Sequence, residues 1–276
     1  MIRSIRKTIA LSALVFWPLT PFVSAQNPAT TTHFRENLPS FHIAQSGKPV
    51  KCGLDDIMYL RQNMAAFSIA RQNELKSSLA RPSLPMNFIS PSGVFRIHYS
   101  TTGVHRVDTT STNGHGAPDY VWEAALAADQ SYQMLVETLG FNAHLSDNGV
   151  DGPEFDIYIV NTRSVFSVSY YGATTPEERV GNGWTSYIAV ENDFEENFFT
   201  KGLDALRVTI AHEYFHAIHF SYYFRDEDVF FYEMSSTWFE DEAYPEVNDY
   251  LQYLPQLFRT LDDPLHKKDG WHEYGS

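Results

Sequence analysis

The chain has 276 residues, and its 34 acidic side chains outnumber its 20 basic ones to give a formal net charge of −14 at pH 7. A surface this acidic repels nucleic-acid phosphates and anionic lipids, so we expect no nucleic-acid partner. The single cysteine, Cys52, excludes an internal disulfide. The length suits one large domain, or a leader followed by a catalytic domain.

The first 25 residues have the pattern of a secretory signal peptide. Basic residues precede an apolar core that runs from Ile9 to Val23, and Val23-Ser24-Ala25 forms a small-residue cleavage site. The core is too short to span a bilayer, and no later segment is apolar for long enough to do so. We therefore predict a secreted or periplasmic protein without stable membrane insertion.

Residues 26–86 are predicted to form a leader, or propeptide-like segment, ahead of the main domain. After a polar start, apolar residues recur at steps of three and four from Asp55 to about Leu79, which is the rhythm of a helix. The prolines of Arg81–Pro85 then break the chain and indicate a linker. We expect residues 26–86 to be either a propeptide or a packing arm of the domain over residues 87–276.

The main domain is predicted to belong to the α+β class, with a small mixed sheet backed by helices. Alternating and helical patterns indicate its elements in chain order. These are a strand over 94–99, a helix over 120–139, strands over 155–160 and 185–190, helices over 203–220 and 231–243, and a further helix starting near residue 247.

Two loops rich in oxygen donors lie between these elements. In the first, Asp108, Asn113 and Asp119 flank two glycines and offer the carboxylate, amide and backbone oxygens that calcium prefers. Neither this loop nor the one over 147–152 fits the EF-hand pattern, and Asx-rich turns are common without metal. Calcium bound by the first loop is therefore a candidate, and a metal-free turn is the alternative.

The strongest motif lies in the predicted helix over 203–220, where residues 212–216 read H-E-Y-F-H and match the pattern H-E-x-x-H. Side chains four residues apart share one helix face, so His212 and His216 can bind one metal ion. Zinc suits neutral imidazole ligands, and a catalytic zinc site has three protein ligands plus an open position. Glu213 is the candidate general base. A buried helix that happens to carry two histidines is the alternative.

A third ligand must come from outside this helix. The metzincin pattern requires a glycine and a further histidine where this chain has His219 and Tyr222. His219 lies about 10 Å from His212 along the helix axis, too far for both to bind one ion at about 2 Å. Glu233, on the next predicted helix, is the candidate ligand, with a solvated residue as the alternative. Glu240, two turns later, is a candidate acceptor that orients a ligand imidazole.

These phrases resemble a known group of enzymes. His212-Glu-Tyr-Phe-His216 followed by Glu233-x-x-Ser-x-Trp238-x-Glu240 is similar to the gluzincin zinc peptidases, the group that contains thermolysin. A closer resemblance is to a family of secreted bacterial proteins classed as metalloproteases. It covers most of the chain from about residue 90, and its phrases lie at residues 113–121, 191–194, 209–220, 233–241 and 244–250.

The resemblance implies a zincin-like fold and zinc-dependent hydrolysis of peptide bonds. It implies His212, His216 and Glu233 as zinc ligands, with Glu213 catalytic. Gluzincins place a helical lobe after the third ligand, often with a Tyr or His that stabilises the oxyanion. Only about thirty-five residues follow Asp241, so we expect this lobe to be truncated or incomplete. The candidates for the oxyanion donor are His266, His272 and Tyr274.

Cys52 is a candidate inhibitory thiol. It follows the basic residue Lys51 and precedes Gly53 and the acid Asp55, so the phrase loosely resembles the cysteine switch of matrix metalloproteases, without that family's flanking prolines. A thiolate is a strong zinc ligand and would fill the open position until the leader is removed. An ordinary buried cysteine is the alternative.

The predicted function is that of an exported zinc metallopeptidase acting on peptide or protein substrates, with Glu213 as the general base for a zinc-activated water. We expect the strand over 185–190 to be the sheet edge beside the cleft, where an extended substrate pairs through main-chain hydrogen bonds. The alternative is a non-catalytic secreted binding module on a degenerate peptidase fold. Three ligands plus an open position would favour the enzyme, whereas a closed four-ligand site would favour the module.

Overall fold

The computed structural model describes residues 49–276 except 113, 196, 265, 268–271 and 276. The predicted signal peptide and the first part of the predicted leader lie outside the described residues. Among the helices of the described part, none combines the length and the apolar character needed to cross a membrane.

A six-stranded mixed sheet forms the centre of the fold. Its strands are β1 (Val50–Cys52), β2 (Met86–Ile89), β3 (Phe95–Tyr99), β4 (Phe155–Val160), β5 (Tyr170–Val180) and β6 (Gly183–Glu191). They lie in the order β1-β5-β6-β4-β3-β2. β5 and β6 form an antiparallel hairpin, β6, β4 and β3 are parallel, β1 is parallel to β5, and β2 is antiparallel to β3. The predicted α+β class with a mixed sheet is confirmed.

Helices surround this sheet. They are α1 (Leu54–Gln62), α2 (Ile69–Ser78), α3 (Asp119–Tyr132), α4 (Thr162–Phe166), α5 (Gly202–Tyr222), α6 (Val229–Ala243), α7 (Leu254–Leu257) and α8 (His272–Gly275). A π-helical turn over Gln133–Thr138 continues α3, and 3-10 turns lie at Met64–Ala66, Asp226–Asp228 and Asp249–Gln252. The helix predicted over 55–79 is two helices, because the second restarts where the Ser68 hydroxyl accepts a hydrogen bond from the Arg71 amide.

The two faces of the sheet are covered by different parts of the chain. Along β4, Ile157 and Ile159 belong to one apolar cluster, and Tyr158 and Val160 belong to another. Successive side chains of a strand point to opposite faces, so these clusters lie on opposite sides of the sheet. The first cluster includes residues of α3 and α5, and the second includes residues of α1 and α2. Burial on both faces explains why β4 reads as a continuous apolar run apart from Asp156.

One expectation about the sheet is wrong. The strand predicted over 185–190 is β6, which lies inside the sheet between β5 and β4 rather than at an edge. β5 covers that side of β6, and the sequence of β5 does not have the pattern typical of a strand. It contains Gly172, Pro176 and a charged end, which are residues depleted in strands, and its register shifts between Pro176 and Arg179.

The segment assigned to a leader contributes to this sheet and its packing. β1 is the edge strand next to β5, and α1 and α2 pack on the face that carries Tyr158 and Tyr187. β2 begins at Met86, at the predicted boundary itself. The described part of residues 26–86 therefore packs on the main sheet, as either a packing arm or an uncleaved propeptide would, and both alternatives stay predictions.

Candidate metal centre

α5 and α6 bring the histidines and the glutamate of the motif side by side. His212 and His216 project from one face of α5, and their Nε2 atoms are 3.0 Å apart. Glu233, near the start of α6, places Oε2 at 2.9 Å from His212 Nε2 and at 3.5 Å from His216 Nε2. All three side chains are buried. The three residues predicted as metal ligands therefore converge on one point.

A fourth donor reaches this point from β1. Cys52 Sγ lies 3.4 Å from His216 Nε2. The donor atoms of Cys52, His212, His216 and Glu233 all lie within 4.8 Å of one another. Donors around a tetrahedral zinc ion with bonds of about 2.0–2.3 Å are separated by roughly 3.3–3.8 Å. The observed spacings are close to these, so this buried group, called here the donor group, could hold a metal ion.

The charges within the donor group fit a shared cation. Burial lowers the pKa of His212, but hydrogen bonds to Glu233 and Glu240 outweigh it and raise that pKa to about 10. Burial favours the neutral form of Glu233, yet His216 and His212 hold the pKa of its carboxyl well below its usual range. The second oxygen of Glu233, Oε1, has no hydrogen-bond partner among the described residues. A buried carboxylate with one oxygen that accepts no hydrogen bond is suited to binding a cation.

Outer residues orient the two imidazoles. Glu240 Oε1 lies 2.7 Å from His212 Nδ1, and Ser236 Oγ lies 3.2 Å from His216 Nδ1. A partner on Nδ1 fixes the ring so that Nε2 faces the other donors. Sequence analysis proposed Glu240 for this position but not Ser236. The position of Ser236 could have been predicted, because it stands three residues after Glu233 on the same face of α6.

A buried lysine extends this arrangement, and sequence analysis did not assign it to this position. Lys51 of β1 donates to Glu240 Oε2 at 2.7 Å and to Asp249 Oδ2 at 2.6 Å. Burial lowers the pKa of Lys51, but Asp249 and Glu240 outweigh this and raise it above its usual range. Lys51 is therefore a charged residue that links β1 to the acceptor of His212.

Glu213, the candidate base, lies between α5 and β5. Its Oε2 accepts a hydrogen bond from Thr174 Oγ1 at 2.7 Å, and its Oε1 has no partner among the described residues. Burial raises the pKa of Glu213, against the lowering effect of His216 and His212. A carboxylate with a raised pKa and one unoccupied oxygen is equipped to accept and return a proton.

Gly172 of β5 allows this approach of α5 to the sheet. A Cβ at this position would lie 2.7 Å from a side-chain carbon of Thr209 and 2.8 Å from Cγ of Glu213. Carbon atoms in contact are separated by about 3.5–4.0 Å, so any side chain at residue 172 would push Glu213 or the strand away.

The other histidine of α5 and the C-terminal candidates are not members of the donor group. His219 stacks on Phe215 and lies 3.0 Å from Ser235 Oγ, outside the donor group. The ring of Tyr274 lies 6.2 Å from that of His212. His272 Nε2 lies 3.4 Å from Thr260 Oγ1, and His266 is exposed. Of the three oxyanion candidates, Tyr274 thus has a ring contact with a member of the donor group.

The predicted calcium ligands have partners within their own loop. Asp108 accepts hydrogen bonds from the amide and the hydroxyl of Thr110, both at 2.9 Å. Asp119 accepts from the amide and the hydroxyl of Thr112. Asn113 lies outside the described residues. These bonds are those of an Asx-rich turn, and the described part of the loop brings no metal-ligand group together, so calcium binding by this loop stays a prediction.

A second group has the spacing of a metal site but already contains a cation. His98, Asp151 and Asp156 bring their ligand atoms within 4.8 Å of one another. Arg81 lies beside them, with Nη1 at 2.5 Å from Asp156 Oδ2 and at 3.8 Å from Asp151 Oδ2. Its Nη2 lies 2.6 Å from both Asp147 and Glu177. This Arg81 cluster is an ion-pair network.

Comparison of this chain with protein-family models, with curated proteins and with solved structures gives no match. The resemblance to gluzincins therefore stays a prediction. Functional conclusions depend on the donor group and on the residues around it.

Proposed function

We propose that the protein is an exported zinc peptidase in which His212, His216 and Glu233 bind zinc and Glu213 is the general base. The observation that carries this proposal is the convergence of two imidazoles and a buried carboxylate on one point, next to a second buried carboxylate. The signal-peptide pattern at the N-terminus supports export.

The donor types favour zinc over other common ions. Imidazole and thiolate donors suit zinc, whereas magnesium and calcium take oxygen ligands. Four donors with near-tetrahedral spacing also match the geometry that zinc adopts in proteins. Glu240 and Ser236 would hold the imidazoles for the ion as they hold them in this structure.

The residues of the chain supply the proton transfers of peptide hydrolysis. A zinc ion in the donor group would polarise the scissile carbonyl and lower the pKa of the attacking water. Glu213 accepts the water proton on its unoccupied Oε1 while Thr174 holds Oε2. A C–O bond forms at the carbonyl carbon, the C–N bond breaks, and Glu213 returns the proton to the leaving amine.

A second candidate function is favoured by Cys52. With its thiol included, the donor group has four members, and four protein ligands without an open position are typical of structural zinc. The protein would then be a secreted binding module stabilised by its metal. The two functions differ in whether Glu213 has any chemical task.

The test compares the wild type with Glu213→Gln by zinc analysis and casein hydrolysis, each also in a Cys52→Ser background. We expect both forms to bind zinc, and Glu213→Gln to lose hydrolysis by about 10²–10⁴-fold. Glu246→Gln makes the same charge change at an exposed position and should leave hydrolysis unchanged. Equal hydrolysis with and without Glu213 would remove it from the mechanism. Zinc binding without hydrolysis in either background would favour the module.

A further inference from the structure

β1 occupies the sheet edge beside the donor group. It pairs in parallel with β5, and Cys52 stands opposite Gly172. β5 is also the strand that contacts Glu213, through Thr174 and Gly172. If β1 were absent, β5 would present its free edge next to the candidate base. An exposed edge in that position is where an extended peptide adds as a further strand.

We propose that residues 49–53, called here the closing segment, hold the metal centre in an inactive state. In this state Cys52 is a displaceable fourth ligand, and β1 takes the place of the substrate strand. The inference rests on the proposed peptidase function, because a closed state regulates the protein only if the open state is active.

The thiol lies where the attacking water would have to stand. Cys52 Sγ is 3.4 Å from His216 Nε2, and the adjacent Leu54 amide donates to the sulfur at 3.3 Å. Its sulfur belongs to the donor group, whose atoms all lie within 4.8 Å of one another, and Cys52 stands opposite Gly172, which packs against Glu213. Cys52 is thus close to both the base and the ligands, so water cannot occupy this position while the thiol is there.

Lys51 ties the closing segment to the residues behind the donor group. Its ammonium lies between Glu240, which contacts His212, and Asp249, and all of these side chains are almost fully buried. Withdrawal of β1 would leave two buried carboxylates without this cation. Removing one partner from a buried ion pair is strongly unfavourable, which explains why the closed state is the one observed.

Only a short unit has to move to open the centre. α1 and α2 are held on the far face of the sheet, where Ile57, Leu60, Leu75 and Leu79 are buried. β1 has three residues and one neighbouring strand. Gly53 joins it to α1 and packs closely on β5, since a Cβ there would lie 2.8 Å from that of Ala173. Opening the centre therefore requires β1 and Gly53 to leave β5, while the apolar contacts in the far cluster keep α1 and α2 on the sheet.

The inference is tested on the full chain with cobalt(II) in place of zinc, because a thiolate bound to cobalt gives a charge-transfer absorption in the near ultraviolet. We expect the wild type to show this band and Cys52→Ser to lose it. We also expect Cys52→Ser, loaded with zinc, to hydrolyse peptide about tenfold faster or more, since an open state of about 10% or less in the wild type would become dominant.

Leu60→Ala is the matched control, because it truncates a buried side chain near the closing segment but away from the donor group. It should keep both the band and the low activity. If Cys52→Ser does not fold, carbamidomethylation of wild-type Cys52 by iodoacetamide replaces it. The modification should be slow, since the thiol is buried, and hydrolysis should rise in step with it.

The outcomes separate this inference from the proposed function. A wild-type cobalt protein without the thiolate band overturns the inference, and hydrolysis by that protein would leave the peptidase proposal standing. A band with no gain of activity after loss or modification of Cys52 also overturns the inference. If Glu213→Gln then changes nothing in the Cys52→Ser background, the peptidase proposal fails as well.

Discussion

Two clusters of histidine and acidic side chains in this protein have metal-site spacing, but their charges are balanced differently. In the Arg81 cluster, the guanidinium itself contacts Asp147, Asp156 and Glu177. In the donor group, His212, His216 and Glu233 face one another, and Lys51 contacts the outer carboxylates Glu240 and Asp249 instead. The comparison teaches that ligand spacing alone does not define a metal site. What distinguishes the donor group is that its positive charge is carried by an imidazole proton, which a metal ion can replace, and not by a permanently charged guanidinium.

The largest stability effect is expected from removing Arg81. Arg81→Met leaves Asp156 and its neighbours without their shared partner, and we expect the free energy of unfolding to fall by about 3 kcal/mol in urea denaturation. Zinc bound at the donor group should remain. Arg71→Met removes a half-exposed pair with Glu74 and should cost under about 1 kcal/mol. Loss of zinc from Arg81→Met with unchanged stability would reverse the roles of the two clusters.

Acid should weaken the fold near the Arg81 cluster without involving metal. Burial lowers the pKa of His144 from 6.5 to about 4, although Asp147 opposes this. Below about pH 6.5 the unfolded chain binds a proton that folded His144 does not bind until about pH 4. The free energy of unfolding should therefore fall by up to about 3 kcal/mol as the pH drops through this window.

His144→Phe should remove this part of the pH dependence, because it cannot titrate and the site is aromatic, with Phe95, Phe155 and Tyr214 as neighbours. His266→Gln, at an exposed position, should keep the wild-type dependence. Urea denaturation between pH 4 and pH 7 measures all three proteins. Identical curves for His144→Phe and the wild type would show that His144 is not the group responsible.

The smallest of these effects is expected at the acceptor of His212. Glu240→Gln keeps an oxygen for the His212 Nδ1 hydrogen bond but removes the charge that Lys51 and the imidazole share. We expect zinc affinity to fall by about 10–100-fold in competition with a chelator. Glu242→Gln, an exposed change on the same helix, is the control. Equal affinities would mean that the outer carboxylate serves only the packing of β1.

The parts of the molecule that the sequence revealed are those with local patterns. The strand over 155–160 and the helices around residues 203–220 and 231–243 were predicted close to their observed bounds, because their apolar spacing is regular. The convergence of His212, His216 and Glu233 followed from helix geometry and a known motif.

The features that could not be predicted from the sequence depend on contacts between residues that are far apart along the chain. Lys51 and Asp249 are 198 positions apart, and nothing in either neighbourhood indicates a buried ion pair. β1 is three residues long and gains its strand conformation from pairing with β5, so it has no periodicity to detect. β5 itself was missed through its glycine, proline and charges, and that error placed the sheet edge at the wrong strand.

The positions of Cys52 and Glu213 both depend on Gly172. It faces Cys52 across the strand pair and contacts Glu213, so the thiol and the carboxylate are both positioned against a residue that has no side chain. Adding one methyl group there would alter the reach of the acceptor and the seating of the sulfur together. A substitution scan of this strand should therefore tolerate no replacement at residue 172, although the residue itself has no functional group to offer.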